Sequence, residues 1–319
     1  MEMVKLVSKI LLYFIISLVA LEILVRAFHL YNDRPDRFMD KDSLNKWVPG
    51  QEGYSVYGNR RQVFAKYHIN SSGYNSYREF EPSEDGVEVA LIGDSFIEGF
   101  HQDYDDSIGK KVENNLNGKV EVFEYGHSAN DLADQLHTIQ SYSQEFKAID
   151  YIVISIRYED DLTRGAYKPI NRIPGYGFLK YSKLLVYVQD IGLIDPAKRM
   201  VAKILAFKNN RTKKSETTEA QIDLSTTFIN NFKSLIDSYG LDKDRTAFLL
   251  DGSITDQRFL DYLKAENIDV IDYSSVFYKD DVPKTLIFDQ HWNDKGRTLI
   301  ADLIAAYIQT KEENKKLRI

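Results

Sequence analysis

The sequence predicts an α/β protein, in which a three-layer α/β/α domain with a parallel five-stranded sheet follows one N-terminal transmembrane helix. Short apolar runs alternate with segments whose apolar residues recur at helical spacing, which indicates strands followed by helices. The run Tyr151–Ile156 is apolar almost throughout, as is typical of a strand covered on both faces. A long apolar stretch opens the chain and precedes this alternating region.

The composition is that of a globular protein with a large core. The chain has 319 residues, of which 43% are hydrophobic and 28% charged. Its 41 basic and 48 acidic residues give a net charge of −7, which argues against a nucleic-acid partner. Cysteine is absent, so disulfides, thiolate metal sites and cysteine nucleophiles are excluded.

The first thirty residues predict a single membrane anchor. The segment Leu6–Val25 holds twenty residues, and a helix of that length spans about 30 Å, the thickness of a hydrocarbon core. Glu22 faces Arg26 at i+4 and is expected to pair with it. Two alternatives stay open, a helix docked on its own domain and a cleaved signal peptide. Basic residues flank both ends of the segment, so their distribution decides little about its orientation. We take the usual orientation of an N-terminal anchor, with an extracytoplasmic body at the cell membrane, as a hypothesis.

The elements of the body follow in order. Residues 31–85 predict an irregular, partly β lead-in, 86–310 the main domain, and 311–319 a charged tail. Within the domain we predict strands at 87–92, 120–123, 151–156, 246–250 and 270–273, and helices at 107–116, 132–146, 228–239, 255–266 and 294–308.

An insertion at about residues 163–221 interrupts this alternation. It begins with an aromatic, proline-containing part, continues with a predicted helix at 183–188, and ends in the polar run 208–218. The polar run predicts a surface linker, because it has nothing to bury. The aromatic part is open to two interpretations, a lid over a site or an insertion without a role.

Two segments carry residues suited to acyl chemistry at the carboxyl edge of the sheet, where ligands of such sheets bind. Ser95 follows the first strand in the sequence Gly-Asp-Ser, although a helix cap would also explain a serine there. Asp289 and His291 precede the last helix and could activate a hydroxyl, although a surface histidine beside a helix cap is the alternative. His101 and His127 are weaker candidates for the same pocket.

Together these segments resemble the two ends of an SGNH (GDSL-type) hydrolase domain. The resemblance covers about residues 5–30, 68–165 and 225–308, and it implies a flavodoxin-like α/β/α fold. It also implies that Ser95 is the nucleophile, His291 the general base and Asp289 the residue that orients it. The Asp-x-His spacing, the anchor, Asn70–Gly73 and the His-Trp-Asn ending are similar to membrane-linked bacterial members and to the alginate O-acetyltransferase-like group.

The resemblance further implies an oxyanion hole formed by the Ser95 N–H, the Gly126 N–H and an asparagine side chain. Glu159 stands where that asparagine is expected, and an ionised carboxylate offers only acceptors. Three interpretations stay open: a protonated Glu159 donates, Tyr158 donates its hydroxyl, or the chain is an inactive member.

By this resemblance the protein is a serine acyl-esterase or O-acyltransferase that forms an acyl-Ser95 intermediate on O-acetylated carbohydrate of the cell envelope or outside the cell. The alternative is a catalytically impaired member that binds glycan or acts as an envelope scaffold. This chemistry needs neither a metal nor an organic cofactor. The acyl group, the glycan and the oligomeric state are not indicated by the sequence.

Overall fold

The computed structural model describes residues 2–58, 60–83, 85–173, 177–195 and 223–317. The chain forms two compact units. One unit comprises residues 1–34, 54–64 and 174–220, and the other comprises 35–53, 65–173 and 221–319. The predicted polar linker 208–218 lies outside the described residues.

The first unit contains the apolar helix α1 (Glu2–Ala27) and part of the insertion, which forms a 3₁₀ turn (Gly177–Tyr181) and a helix (Lys183–Asp190). Helix α1 is long and apolar enough to span a membrane, a property that it shares with signal sequences. Only Val25 of α1 is buried. The predicted pairing of Glu22 with Arg26 is confirmed, with 2.7 Å between Oε1 and Nε.

The predicted lead-in contains two small two-stranded sheets, and the first of them is antiparallel. Strand β1 (Arg37–Met39) pairs with β2 (Asn45–Trp47), and β3 (Glu52–Tyr57) forms a second two-stranded sheet with β4 (Val63–His68).

The second unit is built on the predicted parallel five-stranded sheet, which is confirmed. Its strands are β5 (Val87–Gly93), β6 (Val120–Gly126), β7 (Tyr151–Ser155), β8 (Thr246–Leu250) and β9 (Asp269–Asp272). They lie side by side in the order β6-β5-β7-β8-β9, which is the flavodoxin-like order 2-1-3-4-5. After β5 the next strand, β6, is added on one side of β5, and β7, β8 and β9 are added on the other side.

Helices cover the sheet on both faces. The helices of the second unit are α2 (Ser95–Glu98), α3 (Ile108–Asn115), α4 (Leu132–Ser141), α5 (Ser143–Ala148), α6 (Tyr158–Asp161), α8 (Leu224–Tyr239), α9 (Gln257–Ala265), α10 (Ser274–Phe277) and α11 (Asp294–Leu317). The helix Lys183–Asp190 of the first unit is α7. A further 3₁₀ turn spans Tyr104–Asp106.

Alternate side chains of the strands pack into two separate hydrophobic cores, one on each face of the sheet. In β5, Ala90 and Ile92 pack into the cluster that contains residues of α4, α8 and α9. Val89 and Leu91 pack into the opposite cluster with residues of α3 and α11. Successive side chains of a strand point to opposite faces, so an uninterrupted apolar run serves a sheet buried on both sides.

Several boundaries differ from the sequence prediction by a few residues, and three differences are larger. The helix predicted at 132–146 is divided at Tyr142, where α4 ends and α5 begins. The last helix continues past residue 308 to Leu317, within the predicted tail, where polar helix-forming residues support it and Gln309 donates to Glu313 at 2.9 Å. Residues 273–288 separate β9 from Asp289, so the Asp-x-His segment does not directly follow the last strand.

Candidate active site

Ser95 lies at the turn between β5 and α2, at the carboxyl edge of the sheet. Asp94 caps α2 by accepting the backbone N–H of Phe96 at 2.9 Å, and α2 ends after one turn at Gly99, whose φ is +80°. The short turn leaves the Ser95 side chain on the wall of an open cavity of about 860 Å³. The turn after β5 thus places the Ser95 hydroxyl where a ligand in the cavity can reach it.

His291 reaches Ser95 from the other end of the chain. Its Nε2 lies 2.8 Å from the Ser95 Oγ, a hydrogen-bond distance, although the two residues are 196 positions apart. The Phe96 ring stacks on the imidazole with centroids 4.7 Å apart, and Trp292 packs edge-on against Phe96 at 4.8 Å. These aromatic contacts hold the imidazole plane against the serine turn.

Asp289 contacts both the backbone and the ring of His291. One carboxylate oxygen, Oδ1, accepts the His291 backbone N–H at 2.9 Å and lies 3.2 Å from Nδ1. The Oδ1–Nδ1 contact is at ion-pair distance but lacks the alignment of a hydrogen bond. The Asp-x-His spacing explains this arrangement, because a carboxylate two residues earlier readily closes an Asx turn on the backbone N–H.

His101 is the third side chain at this aspartate. Its Nε2 lies 3.5 Å from the other Asp289 oxygen, Oδ2, and its ring stacks on that of His291 with centroids 4.0 Å apart. Burial, and then the neighbouring His291, lowers the pKa of His101 to about 4. His101 is therefore neutral at pH 7, and the Asp289 carboxylate contacts a ring nitrogen of each of the two stacked imidazoles.

Two histidines and a carboxylate this close together also suggest a metal site. The rings of His101 and His291 are inclined by only 21° and stacked at 4.0 Å. A metal in the plane of one imidazole would lie well out of the plane of the other, whereas imidazole ligands bind through in-plane lone pairs. The stacked geometry does not fit a shared metal ion.

Arg157 follows β7 at the same edge of the sheet and lies on the cavity wall. Its guanidinium is 3.0 Å from Asp94 Oδ2 and 2.8 Å from Asp160 Oδ2, and it lies over the Phe96 ring at 5.7 Å. It thus contacts the residues on both sides of Ser95. The Arg157 backbone N–H donates to Asp161 at 2.7 Å, and burial raises the pKa of Asp161 to about 8.

The remaining oxyanion candidates lie in different surroundings. Glu159 is exposed on α6 and lines the cavity. Tyr158 is buried, and its hydroxyl donates to Ser225 Oγ at 3.1 Å. Gly126 ends β6, and a Cβ there would lie 2.1 Å from the Glu98 backbone nitrogen, so this glycine allows β6 and α2 to approach closely.

The weaker candidate His127 lies elsewhere. It is buried, and its ring stacks on Trp47 with centroids 5.1 Å apart. His101, by contrast, lies beside His291. Sequence reasoning gave His101 little weight and did not single out Arg157. The position of Arg157 directly after a buried strand was the signal that could have identified it.

The cavity combines aromatic rings with charged groups. Its aromatic walls are Phe96, Tyr158, Tyr273, Phe277, Tyr278 and Trp292. Its carboxylates are Glu159, Asp160, Asp251, Asp280, Asp281 and Asp289, and its cations are Arg157 and Lys284. Lys284 and Asp280 form an ion pair. Carboxylates outnumber cations among these lining residues, so the cavity does not favour polyanionic ligands.

Comparison with solved structures finds hydrolases of low sequence identity. A lipase/acylhydrolase from Enterococcus faecalis is 13% identical, with 70% of this chain and 96% of that chain covered and a TM-score of 0.42. A lipolytic protein of the G-D-S-L family from Veillonella parvula is 14% identical, with 68% and 96% covered and a TM-score of 0.38. A carbohydrate acetylesterase family member from Sinorhizobium meliloti is 12% identical, with 70% and 98% covered and a TM-score of 0.36.

A scan against protein-family models and a search of curated proteins find no match to this chain. Because these three structures are at 14% identity or lower, the chemistry of the site rests on the residues of this chain.

Proposed function

We propose that this protein is a membrane-anchored serine acyl-esterase or O-acyltransferase of the SGNH type. The observation that carries the proposal is the 2.8 Å contact between Ser95 Oγ and His291 Nε2 on the wall of an open cavity. A serine hydroxyl is a weak nucleophile until a base takes its proton, and the imidazole is within reach of that proton.

In the proposed reaction the Ser95 Oγ attacks the carbonyl carbon of an ester while His291 Nε2 takes the hydroxyl proton. The tetrahedral intermediate then expels the alcohol, which receives that proton from the imidazolium, and an acyl-serine remains. A water molecule or a sugar hydroxyl then attacks the acyl carbon with His291 again as the base. The bond to Ser95 Oγ breaks, and the imidazolium returns the proton to the serine oxygen. Asp289 stabilises the imidazolium through its Oδ1, 3.2 Å from Nδ1.

Arg157 is the group that we propose to stabilise the oxyanion in place of the asparagine. It is 44% exposed on the cavity wall, so part of its guanidinium faces the cavity beside Ser95. A guanidinium has five N–H donors, and its two ion pairs leave others for a ligand. Among the earlier interpretations, donation by Tyr158 is disfavoured because its hydroxyl is directed to Ser225.

The lining of the cavity supports a carbohydrate ester as the substrate class. Aromatic faces pack against sugar rings, and carboxylates accept hydrogen bonds from their hydroxyls. The excess of carboxylates favours an uncharged or cationic glycan over a polyuronate. We therefore propose an O-acylated neutral glycan of the envelope or of the medium, with the body of the protein outside the cytoplasm.

One observation favours a second function, a glycan-binding or scaffold protein without turnover. Glu159 lines the cavity at the position of the expected asparagine and would repel an oxyanion. In this alternative the aromatic and acidic walls bind glycan, and Ser95 is never acylated.

The test is active-site labelling of the full chain in detergent with a fluorophosphonate, together with release of acetate from an aryl acetate. We expect both signals in the wild type and in Ser238→Ala, an exposed serine on α8, and neither in Ser95→Ala or His291→Ala. A folded wild type that is neither labelled nor active would overturn the enzyme and favour the binding protein.

Glu159→Asn separates the two functions further. If Arg157 stabilises the oxyanion, the substitution removes an opposing charge, and acetate release is retained or increased. Gain of activity from an inactive wild type would show an impaired enzyme. Loss of activity would assign the donor role to a protonated Glu159.

A further inference from the structure

The insertion is attached to the anchor helix by a carboxylate. Glu22 of α1 accepts the backbone N–H groups of Lys183 at 2.9 Å and Leu184 at 2.8 Å, and the Ser182 hydroxyl at 3.1 Å. These N–H groups begin α7, and the first N–H groups of a helix have no partner within it. A carboxylate at this end of a helix is also favoured by the helix dipole.

Further contacts continue along the chain after α1. Arg26 donates to the Tyr181 carbonyl oxygen at 2.7 Å, and Lys183 pairs with Asp33 at 3.0 Å. Asp190, at the end of α7, forms an ion pair with Arg34. The segment 177–195 thus lies along residues 22–34, from the end of the apolar helix onward.

Glu22 also defines the depth at which α7 begins. The stretch Ile10–Leu21 is interrupted only by Ser17, and Glu22 follows it immediately. A carboxylate next to hydrocarbon is costly unless it is paired and hydrogen-bonded. Arg26 and the start of α7 provide those partners, so a membrane-spanning α1 would hold the start of α7 at the edge of the hydrocarbon core.

The surface at this edge is apolar and open. A groove of about 620 Å³ lies between the two helices, with walls formed mainly by the apolar side chains of Leu18, Val19, Ile23, Leu184 and Leu185. Leu185 is 49% exposed and Tyr181 71% exposed. Contiguous apolar surface of this kind indicates a binding partner, and tyrosine is enriched where protein meets the membrane interface.

We propose that residues 177–195 bind the surface of the lipid bilayer beside α1, with acyl chains occupying the groove. The bilayer is the occupant that the structure favours because the groove continues the exposed apolar side of α1, where Leu18 and Val19 lie. This part of the insertion is then a second membrane contact. The proposal rests on membrane insertion of α1 and is independent of the serine chemistry.

The absence of cysteine allows a direct test with single-cysteine variants of the full chain. Ile16→Cys, Leu185→Cys and Lys264→Cys are labelled with an environment-sensitive fluorophore and reconstituted into phosphatidylcholine vesicles that contain nitroxide-labelled lipids. Ile16 reports the anchor, and Lys264, exposed on α9, reports the body. We expect strong quenching at residue 16, severalfold more quenching by shallow nitroxides at residue 185 than at 264, and little at 264.

A second pair of variants tests the carboxylate. Glu22→Ala in the Leu185→Cys background should reduce the quenching at residue 185, whereas Ser17→Ala, on the same helix, should leave it unchanged. Among the residues that the structure describes, the Ser17 hydroxyl donates within α1, to the Tyr13 carbonyl oxygen at 2.8 Å.

Other outcomes would overturn the proposal in distinguishable ways. Quenching at residue 16 but not at 185 would show an inserted anchor without a second membrane contact. Absence of quenching at both would show that α1 does not insert. Protection of residue 185 from both lipid nitroxides and aqueous iodide would show that protein, such as a second copy of the chain, covers the groove.

Discussion

Asp289 illustrates how a single spacing changes the surroundings of a proposed catalytic group. Its Oδ1 accepts the backbone N–H of His291 and lies beside Nδ1 of the same residue, and its Oδ2 lies beside Nε2 of His101. Because both oxygens have contacts, the carboxylate has little freedom to rotate. We therefore assign His101 as a positioning residue that acts on His291 through Asp289 and through ring stacking.

Replacing His101 by phenylalanine tests this assignment. The substitution keeps an aromatic ring against His291 but removes the Nε2 beside Asp289, so kcat should fall by roughly tenfold, as expected for a misaligned base, with KM unchanged. Steady-state kinetics with an aryl acetate between pH 5 and 8 measure this. Because the pKa of His101 is about 4, its own titration should not appear in that range.

An unchanged kcat in His101→Phe would show that Asp289 is positioned without His101. The control is His127→Phe, a buried histidine stacked on Trp47, which should leave KM and kcat in the folded protein unchanged.

Arg157→Ala tests the proposed oxyanion donor. Loss of one such donor typically lowers kcat by about a hundredfold, roughly 3 kcal/mol of transition-state stabilisation. Arg157→Lys should restore part of the rate because it keeps the positive charge. Asp160→Asn removes only the 2.8 Å ion pair with Arg157 and should have a small effect. Equal rates for Arg157→Ala and the wild type would exclude the arginine.

Among the elements, the contact between β6 and α2 positions the serine turn. Gly126 lies against the backbone of Ile97 and Glu98, and α2 begins with Ser95. The approach is closer than any side chain allows, since an added Cβ would lie 2.1 Å from a backbone nitrogen. The position of Ser95, the proposed nucleophile, thus depends on a glycine in the neighbouring strand.

Gly126→Ala should displace α2, because backbone atoms at that distance cannot give way cheaply. We expect a large loss of thermal stability together with loss of fluorophosphonate labelling at Ser95. Gly86→Ala is the matched control, since an added Cβ there meets nothing within 4 Å. A stable, fully labelled Gly126→Ala protein would contradict the proposed dependence.

The contact between β6 and α3 predicts a dependence of stability on pH. Glu124 of β6 accepts the Gly109 backbone N–H at 3.0 Å, and burial, followed by the negative charge of Glu113, raises the pKa of Glu124 from 4.5 to about 7. A carboxyl whose pKa is higher in the folded state binds more protons there than in the unfolded chain. Stability therefore falls as pH rises from about 4.5 to about 7.

Urea unfolding at pH 5 and pH 8 measures this effect. Relative to Glu124→Gln, the wild type should lose roughly 2.5 kcal/mol of unfolding free energy between these pH values, because the pKa of Glu124 is about 7 in the folded protein and 4.5 in the unfolded chain. If the two proteins show the same pH dependence of unfolding free energy, the pKa of Glu124 is not raised by folding.

At the scale of the whole molecule, the chain combines one long apolar helix, α1, with a unit built on a parallel sheet. The chain as a whole carries a net charge of −7, whereas α1 leaves a long row of apolar side chains exposed. A membrane removes that apolar surface from water. The position of the body relative to the membrane then determines which substrates it meets.

Two measurements examine this arrangement. The full chain should stay with membranes in alkaline carbonate, and a chain lacking residues 2–27 should be released. Lys264→Cys should react with a membrane-impermeant maleimide in intact bacterial cells if the body is extracytoplasmic. Reaction only after permeabilisation would place the body in the cytoplasm.

Local patterns in the sequence determined the elements of this protein. Apolar runs such as Tyr151–Ile156 and the helical spacing around α11 set strands and helices, because burial on both faces of a sheet requires those patterns. Because Ser95 and Arg157 come soon after predicted strands, their places at the carboxyl edge of the sheet can also be predicted from the sequence. The break between α4 and α5 at Tyr142 could not be predicted, because helix boundaries depend on the packing around them.

Only the tertiary structure decided which side chains meet. The stacking of His101 on His291, the contact of Arg157 with Asp94, and the capping of α7 by Glu22 join residues far apart in the chain. These contacts depend on the order of the strands in the sheet and on the paths of the loops. The periodicity of apolar residues along the chain does not determine either of them. The sequence by itself thus determined the sheet and the candidate nucleophile and base, and folding decided their neighbours, because side-chain convergence is a property of three-dimensional packing.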